Sequence, residues 1–284
     1  MSSISAQEEM LSKINFLGGY PTSSDLSPSI VFLYALLAPV LVFRMTRRSD
    51  RTWILLRPVI FLLCRFGMLA LRVYMSKNTY GSGLLIAELI LVSIGFLFLI
   101  DPIITIWKRH VESVTPQSQH PRWVLQLSRI LRILLIVSIA TTVVASSLIS
   151  SALSKPSVID NVRTLRKVSA IVTLITIVIL LFAAIRVNMA FPVSRKGTVY
   201  IVAVTMCLMV IAVYRTEQTF STGNTNSTAA RAAFWICQML FELAAFTSLL
   251  VISIPTWFPG DAIPSSSDTE MVLSQSQNFK TQSM

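Results

Sequence analysis

The strongest constraint in this sequence is a series of seven apolar runs, each near the length that crosses a bilayer. They fall at residues 29–45, 53–75, 83–107, 130–152, 168–190, 198–215 and 231–255. A span takes ~20 mostly apolar residues. In lipid, only helices and closed barrels satisfy every backbone hydrogen bond. The runs lack the ~10-residue alternation of barrel strands. The expected fold is therefore all-α: a polytopic membrane protein whose seven transmembrane helices form one bundle over residues 29–257. Residues 1–28 read as a polar N-terminal tail, with no signal peptide expected. Residues 258–284, rich in Ser, Thr and Gln, read as a disordered polar C-terminal tail.

The charge distribution supports this reading. Only 13% of residues are charged, about half the share in soluble domains, and the mean hydropathy is +0.69. The net charge of +11 comes from basic residues in short loops, which set topology and meet anionic head groups. Membrane lipids, and no nucleic acid, are the expected partners. With the N-terminus outside, the inner segments carry 12 Lys and Arg and the outer segments 8, which favours N-out and C-in. The outer loop at 153–167, with Lys155, Arg163, Arg166 and Lys167, is the misfit. The sequon "NST" makes Asn226 a candidate N-glycosylation site in an outer loop. Ser265 and Ser267, each three residues before an acid, are candidate phosphorylation sites.

The second run, "WILLRPVIFLLCRFGMLALRVYM", carries Arg57, Arg65 and Arg72. A charge at the bilayer centre costs at least ~2.5–3.5 kcal/mol on insertion scales. At 100° per residue the three fall within a sector of ~80°, so one stripe faces the bundle or a wet cavity. At ~1.5 Å per residue, Arg57 lies ~10 Å and Arg72 ~12 Å from the middle of the run. Both are within snorkelling reach of an interface. Arg65 has no such escape. Depth places Glu242 of the last run at its level, Glu88 near Arg72, and Asp101 near Arg57, with Arg186 competing for Asp101. An Arg65–Glu242 ion pair between the second and seventh helices is expected. Such a pair is either a structural clamp or part of a substrate or proton path.

Enzyme signatures are missing: the chain has no HExxH, GxSxG or Walker loop. Its two histidines, His110 and His120, share one polar loop, and Cys64, Cys207 and Cys237 lie in apolar runs. Neither a metal site, a disulfide framework nor a cofactor is expected. None of the spans has the lysine that a retinal protein needs. A receptor shares the seven-helix layout, but "DPIITIWKRH" ends the third run, without Asp-Arg-Tyr, and the last run lacks Asn-Pro-x-x-Tyr.

Three stretches carry a family likeness. "YPTSSDLSPSIVFLYALLAPV" (20–40), "VYRTEQTF" (213–220) and "FWICQMLFELAAFTSLLVISIPTWFPG" (234–260) resemble the first-helix entry, the end of helix 6 and the last helix of the fungal lipid-translocating exporter (RTA-like) family. The matching positions are Tyr214, Arg215, Glu242, Pro259 and Gly260. The departures are specific. Glu217 stands one residue before the family's acid, where this chain has Gln218. Trp235 replaces an acid early in helix 7, Glu242 replaces Asp, and Phe258 replaces the corner His. The resemblance implies a fungal, multi-pass protein of the plasma membrane or an endomembrane that moves or senses lipids or amphiphilic compounds without ATP hydrolysis. The alternatives are a receptor or sensor signalling through its inner loops, and a structural membrane partner without a substrate.

Overall fold

The computed structural model describes residues 28–47, 53–113, 122–152, 155–191, 194–221 and 227–258, and their secondary structure is entirely helical. The main helices are α1 (Pro28–Thr46), α2 (Leu56–Lys77), α3 (Ser82–Glu112), α4 (Arg122–Ala152), α5 (Ile159–Ala190) and α6 (Arg195–Phe220). α7 runs over Thr228–Val251, with a π-helical stretch at Phe234–Leu240. A one-turn helix, α8 (Ile254–Trp257), follows. Six of them, α2 to α7, are long and apolar enough to cross a membrane. The chain is an all-α, multi-pass integral membrane protein. α1 has 19 residues, with Pro39 inside it.

The helices extend past the apolar runs that announced them. Hydropathy marks the lipid-facing length, whereas backbone hydrogen bonding carries a helix on into polar sequence. Two expectations are corrected on this account. Most of the segment expected as the loop 153–167 is helical: a 3₁₀ turn at Pro156–Val158 leads directly into α5, so Arg163, Arg166 and Lys167 are helical. His110 is not in a polar loop either. It lies in the last turn of α3, buried, while His120 falls outside the described residues.

Successive helices from α1 to α7 pack on one another, and α7 returns to α1, closing a ring. α3 also touches α5, α6 and α7, which places it inside. Its sequence explains this position. The stretch Leu84–Ile106 is apolar on nearly every face, and a helix of that kind is stable only when surrounded. The ring is locked where α1 meets α7. The buried Arg44 in the last turn of α1 donates Nη1 to the carbonyls of Leu249 (3.0 Å) and Leu250 (2.9 Å). Those carbonyls end α7, where the chain leaves the helix at Ile252. A cation at a helix C-terminus both satisfies orphan acceptors and meets the negative end of the dipole.

At the same end of the bundle His110 Nε2 lies 3.0 Å from Thr198 Oγ1 of α6. Its ring packs edge-on against Phe258 at 5.4 Å between centroids. Phe258, expected to open the disordered tail, is fully buried and belongs to the bundle. Gly197 makes this contact possible. A Cβ there would stand 2.6 Å from His110 Cε1 and 3.0 Å from Phe258 Cε1. Gly197→Ala is therefore expected to displace the His110 ring and destabilise the protein by ~1–3 kcal/mol, read as a lowered unfolding midpoint in detergent. Gly83→Ala, whose Cβ would meet nothing within 4 Å, is the control and should be neutral or slightly stabilising.

Candidate functional site

α2 buries Pro58, Phe61, Leu62, Arg65, Met68, Leu69, Arg72 and Met75. The spacing of three, four and seven residues is that of one helix face, so Arg65 and Arg72 point inward with the apolar residues. Arg65 Nη2 donates to Glu242 Oε1 of α7 at 2.6 Å and to the Val92 carbonyl of α3 at 3.2 Å. Both Arg65 and Glu242 have 0% side-chain exposure. Gln238 Nε2, one turn before Glu242, donates to the same Oε1 at 3.3 Å. The Phe61 ring lies 5.2 Å from the guanidinium carbon, and the buried Tyr34 of α1 is close enough to interact with both charges. Gly95 lies beside this pair, and a Cβ there would crowd Cys64 Cβ at 3.2 Å while only touching the guanidinium. Glu242 stands two residues beyond the π-helical stretch that carries Gln238. Single π turns inside α-helices are rare and concentrate at functional positions.

The other two arginines divide. Arg72 Nη1 meets Glu88 Oε1 at 2.6 Å, with both side chains buried. Arg72 also lies over the rings of Phe234 (5.0 Å) and Trp235 (5.7 Å). It does not snorkel. The bundle supplies a carboxylate and two π faces, so reaching outward would gain nothing. Arg57 is partly exposed, with 34% of its side chain accessible, and is paired with Asp101 of α3. The second cation at Asp101 is Arg132 of α4, at 3.6 Å, not Arg186. Arg186 is exposed on α5 and faces Trp123 and Leu127 of α4 across a crevice.

Two recesses lie elsewhere. A cavity of about 50 Å³ sits among α3, α4, α5 and α6. Arg215 of α6 and Arg166 of α5 line it, together with hydroxyls that include Ser93, Thr142 and Ser146. Arg215 Nη2 donates to Ser93 Oγ at 3.0 Å and its guanidinium lies 5.0 Å from the Phe96 ring. Glu217 does not join this group and is exposed. Larger, at about 720 Å³, is an open crevice between α4 and α5. Trp123, Leu127, Phe182, Met189 and Phe191 line it, and Arg186 is the one charged residue among the described residues of its wall.

Arg44, Arg132, Arg166 and the hydroxyl wall were missed by sequence reasoning. Arg166 was hidden by its assignment to a loop. The wall had a signal: Ser138, Thr142 and Ser146 on α4, and Ser169 and Thr173 on α5, recur every four residues, the small-residue spacing of close membrane-helix contacts. In the structure Ser138 Oγ reaches Thr173 Oγ1 at 2.6 Å and Thr142 Oγ1 reaches Ser169 Oγ at 2.6 Å. Asn226, Ser265, Ser267, Pro259 and Gly260 lie outside the described residues. Ser227, in the middle of the sequon, caps α7 by accepting from Ala230 N at 3.1 Å.

No family model, curated protein or solved structure matches this chain.

Removing one member of a buried pair leaves the other charge unanswered, which costs ~3–5 kcal/mol. Arg65→Met and Glu242→Gln should each lower the unfolding midpoint in detergent by that order. The double variant Arg65→Met/Glu242→Met should recover most of the loss. Additive losses would show that the two residues are not coupled.

Proposed function

We propose that this chain is a seven-span protein, N-terminus out and C-terminus in, that handles lipids or amphiphilic compounds at the membrane without ATP hydrolysis. The observation that carries the reading is the α4–α5 crevice. Its volume, about 720 Å³, lies within the ~300–1,000 Å³ of ordinary ligand sites. Its walls are aliphatic and aromatic, with one guanidinium, Arg186. An apolar body with a single polar end is the shape this lining complements. The Arg65–Glu242 pair supports a clamp rather than a path, since neither side chain is accessible.

α1 supports the seventh span. Its 19 residues give ~28 Å of helix, close to the ~30 Å hydrocarbon thickness. Orientation draws support from four reassigned residues. Arg166 and Arg215 line a cavity, Arg132 pairs with Asp101 and Arg44 is buried against the α7 carbonyls, so none of the four counts as a loop cation. The remaining Lys and Arg stand 10 inside to 6 outside, a slightly stronger bias than before. The resemblance to the fungal lipid-translocating exporters points the same way and sets the expected location at the plasma membrane or an endomembrane.

The test is transbilayer movement of a fluorescent phospholipid in proteoliposomes. Wild type should exceed empty liposomes. Arg186→Ala and Ala183→Phe, which removes the charge or fills the crevice, should lower the rate several-fold while thermal stability is kept. Transport equal to empty liposomes, or unchanged in both variants, would refute this function.

A further inference from the structure

We propose that the α4–α5 crevice is a site for one acidic phospholipid, with the head-group phosphate on Arg186 and an acyl chain along the apolar walls. This rests on the reading of the crevice as an amphiphile site and names the class of lipid. Arg186 decides it. The arginines in the apolar runs of α1, α2 and α6 are answered by the protein: Arg44 by carbonyls, Arg57, Arg65 and Arg72 by carboxylates, and Arg215 by a hydroxyl. Arg132, in the run of α4, meets Asp101. Arg186, in the run of α5, is exposed and has no hydrogen-bond or carboxylate partner among the described residues. An ionisable side chain in a membrane segment calls for a partner, and the other described residues of the crevice wall are apolar or aromatic. An anionic head group in the adjoining leaflet is that partner. The guanidinium fork can meet two phosphate oxygens at once.

Depth fits a lipid of one leaflet, the inner one in the proposed orientation. On α5 the lining runs from Ile179 to Phe191, ~18 Å along the helix axis, against ~15 Å for half the hydrocarbon core. Arg186 stands ~6 Å before the end of α5 at Ala190, within snorkelling reach of the head groups. Trp123, in the first turn of α4, lies across the crevice from it, and Trp is enriched at the head-group level. Charge selects the head group. Arg122 at the start of α4, and Arg195 and Lys196 at the start of α6, are exposed at the same end of the bundle. None of the three has a partner among the described residues. The acids of α3 towards this end, Asp101 and Glu112, are held by Arg57 and Lys108. The surplus of positive charge repels the choline of a zwitterionic lipid and draws a head group with net negative charge.

The experiment uses the full chain in neutral detergent micelles. It follows binding of phosphatidylglycerol and phosphatidylcholine with identical acyl chains, alongside thermal unfolding. Phosphatidylglycerol should bind saturably and about tenfold more tightly than phosphatidylcholine, the size of one charge-assisted hydrogen bond. Arg186→Gln should abolish that preference and leave phosphatidylcholine binding unchanged. Ala190→Phe, which fills the crevice from an exposed position and keeps Arg186, should weaken both lipids. Arg163→Gln, which removes the same charge from the far end of α5, should change neither. Arg186 and Ala190 are both exposed, so their variants should unfold at the wild-type midpoint. Equal binding of the two lipids, blocked by Ala190→Phe, overturns the choice of an acidic lipid and leaves the crevice as an amphiphile site. Saturable binding of neither lipid overturns both. A preference that survives Arg186→Gln or Ala190→Phe belongs to the basic surface rather than the crevice and overturns the proposal.

Discussion

The Arg65–Glu242 contact is what the rest of the bundle arranges itself around. A guanidinium and a carboxylate with no access to water are stable only if each is answered by the other and by further polar atoms. The surrounding sequence supplies those answers from four helices: Val92 O from α3, Gln238 from α7, the Phe61 ring from α2 and, packed on that ring, Tyr34 from α1. A pair that needs four helices in register fixes that register. Three apolar helices sliding past α2 would lose little dispersion energy, but they would strand a charge.

α3 transmits this constraint across the bundle. Val92 accepts from Arg65 on one side, and the next residue, Ser93, accepts from Arg215 on the other. Consecutive residues point ~100° apart on a helix, so one turn of α3 serves both the ion pair and the polar cavity. Glu242 and Arg215 act on one another directly as well. A change of charge in the cavity is therefore felt at the clamp through space and through α3. The other two arginines of α2 find their carboxylates on α3, Arg72 at Glu88 and Arg57 at Asp101. Each intramembrane acid of α3 thus ties α2 to the centre of the bundle.

Depth was legible in the sequence, and azimuth was not. Counting residues along helices matched Arg65 with Glu242, Arg72 with Glu88 and Arg57 with Asp101, because a helix rises by a fixed amount per residue. Arg186 met the same depth criterion and points elsewhere, since neither its helix rotation nor the neighbour of its face is written in a single chain. Helix ends were misjudged where polar sequence stays helical, as at Arg163–Lys167 and His110. That error concealed Arg166, and with it the cavity. Arg44 was read as a topology signal because its acceptors are backbone carbonyls of α7, which no side-chain motif records.

The two recesses share one helix pair. The cavity takes Thr142 and Ser146 from α4 with Arg166, Ser169 and Thr173 from α5, while the crevice takes Trp123 and Leu127 with residues from Ile179 onward. Between them lies the hydroxyl contact of Ser138 with Thr173. Thr173 and Phe182 are nine residues apart, or ~13 Å along α5. α4 also buries the smallest share of its span among the six long helices, at 28%. Its ionic tie to α3, Arg132 to Asp101, is 3.6 Å long, with Asp101 buried and Arg132 partly exposed. Interhelical hydroxyl bonds in membranes average ~0.6 kcal/mol each, far below the cost of parting a buried ion pair. α4 and α5 nevertheless share the most extensive pairing among the described helices, so the hydroxyl contacts along it hold the charged cavity apart from the apolar crevice.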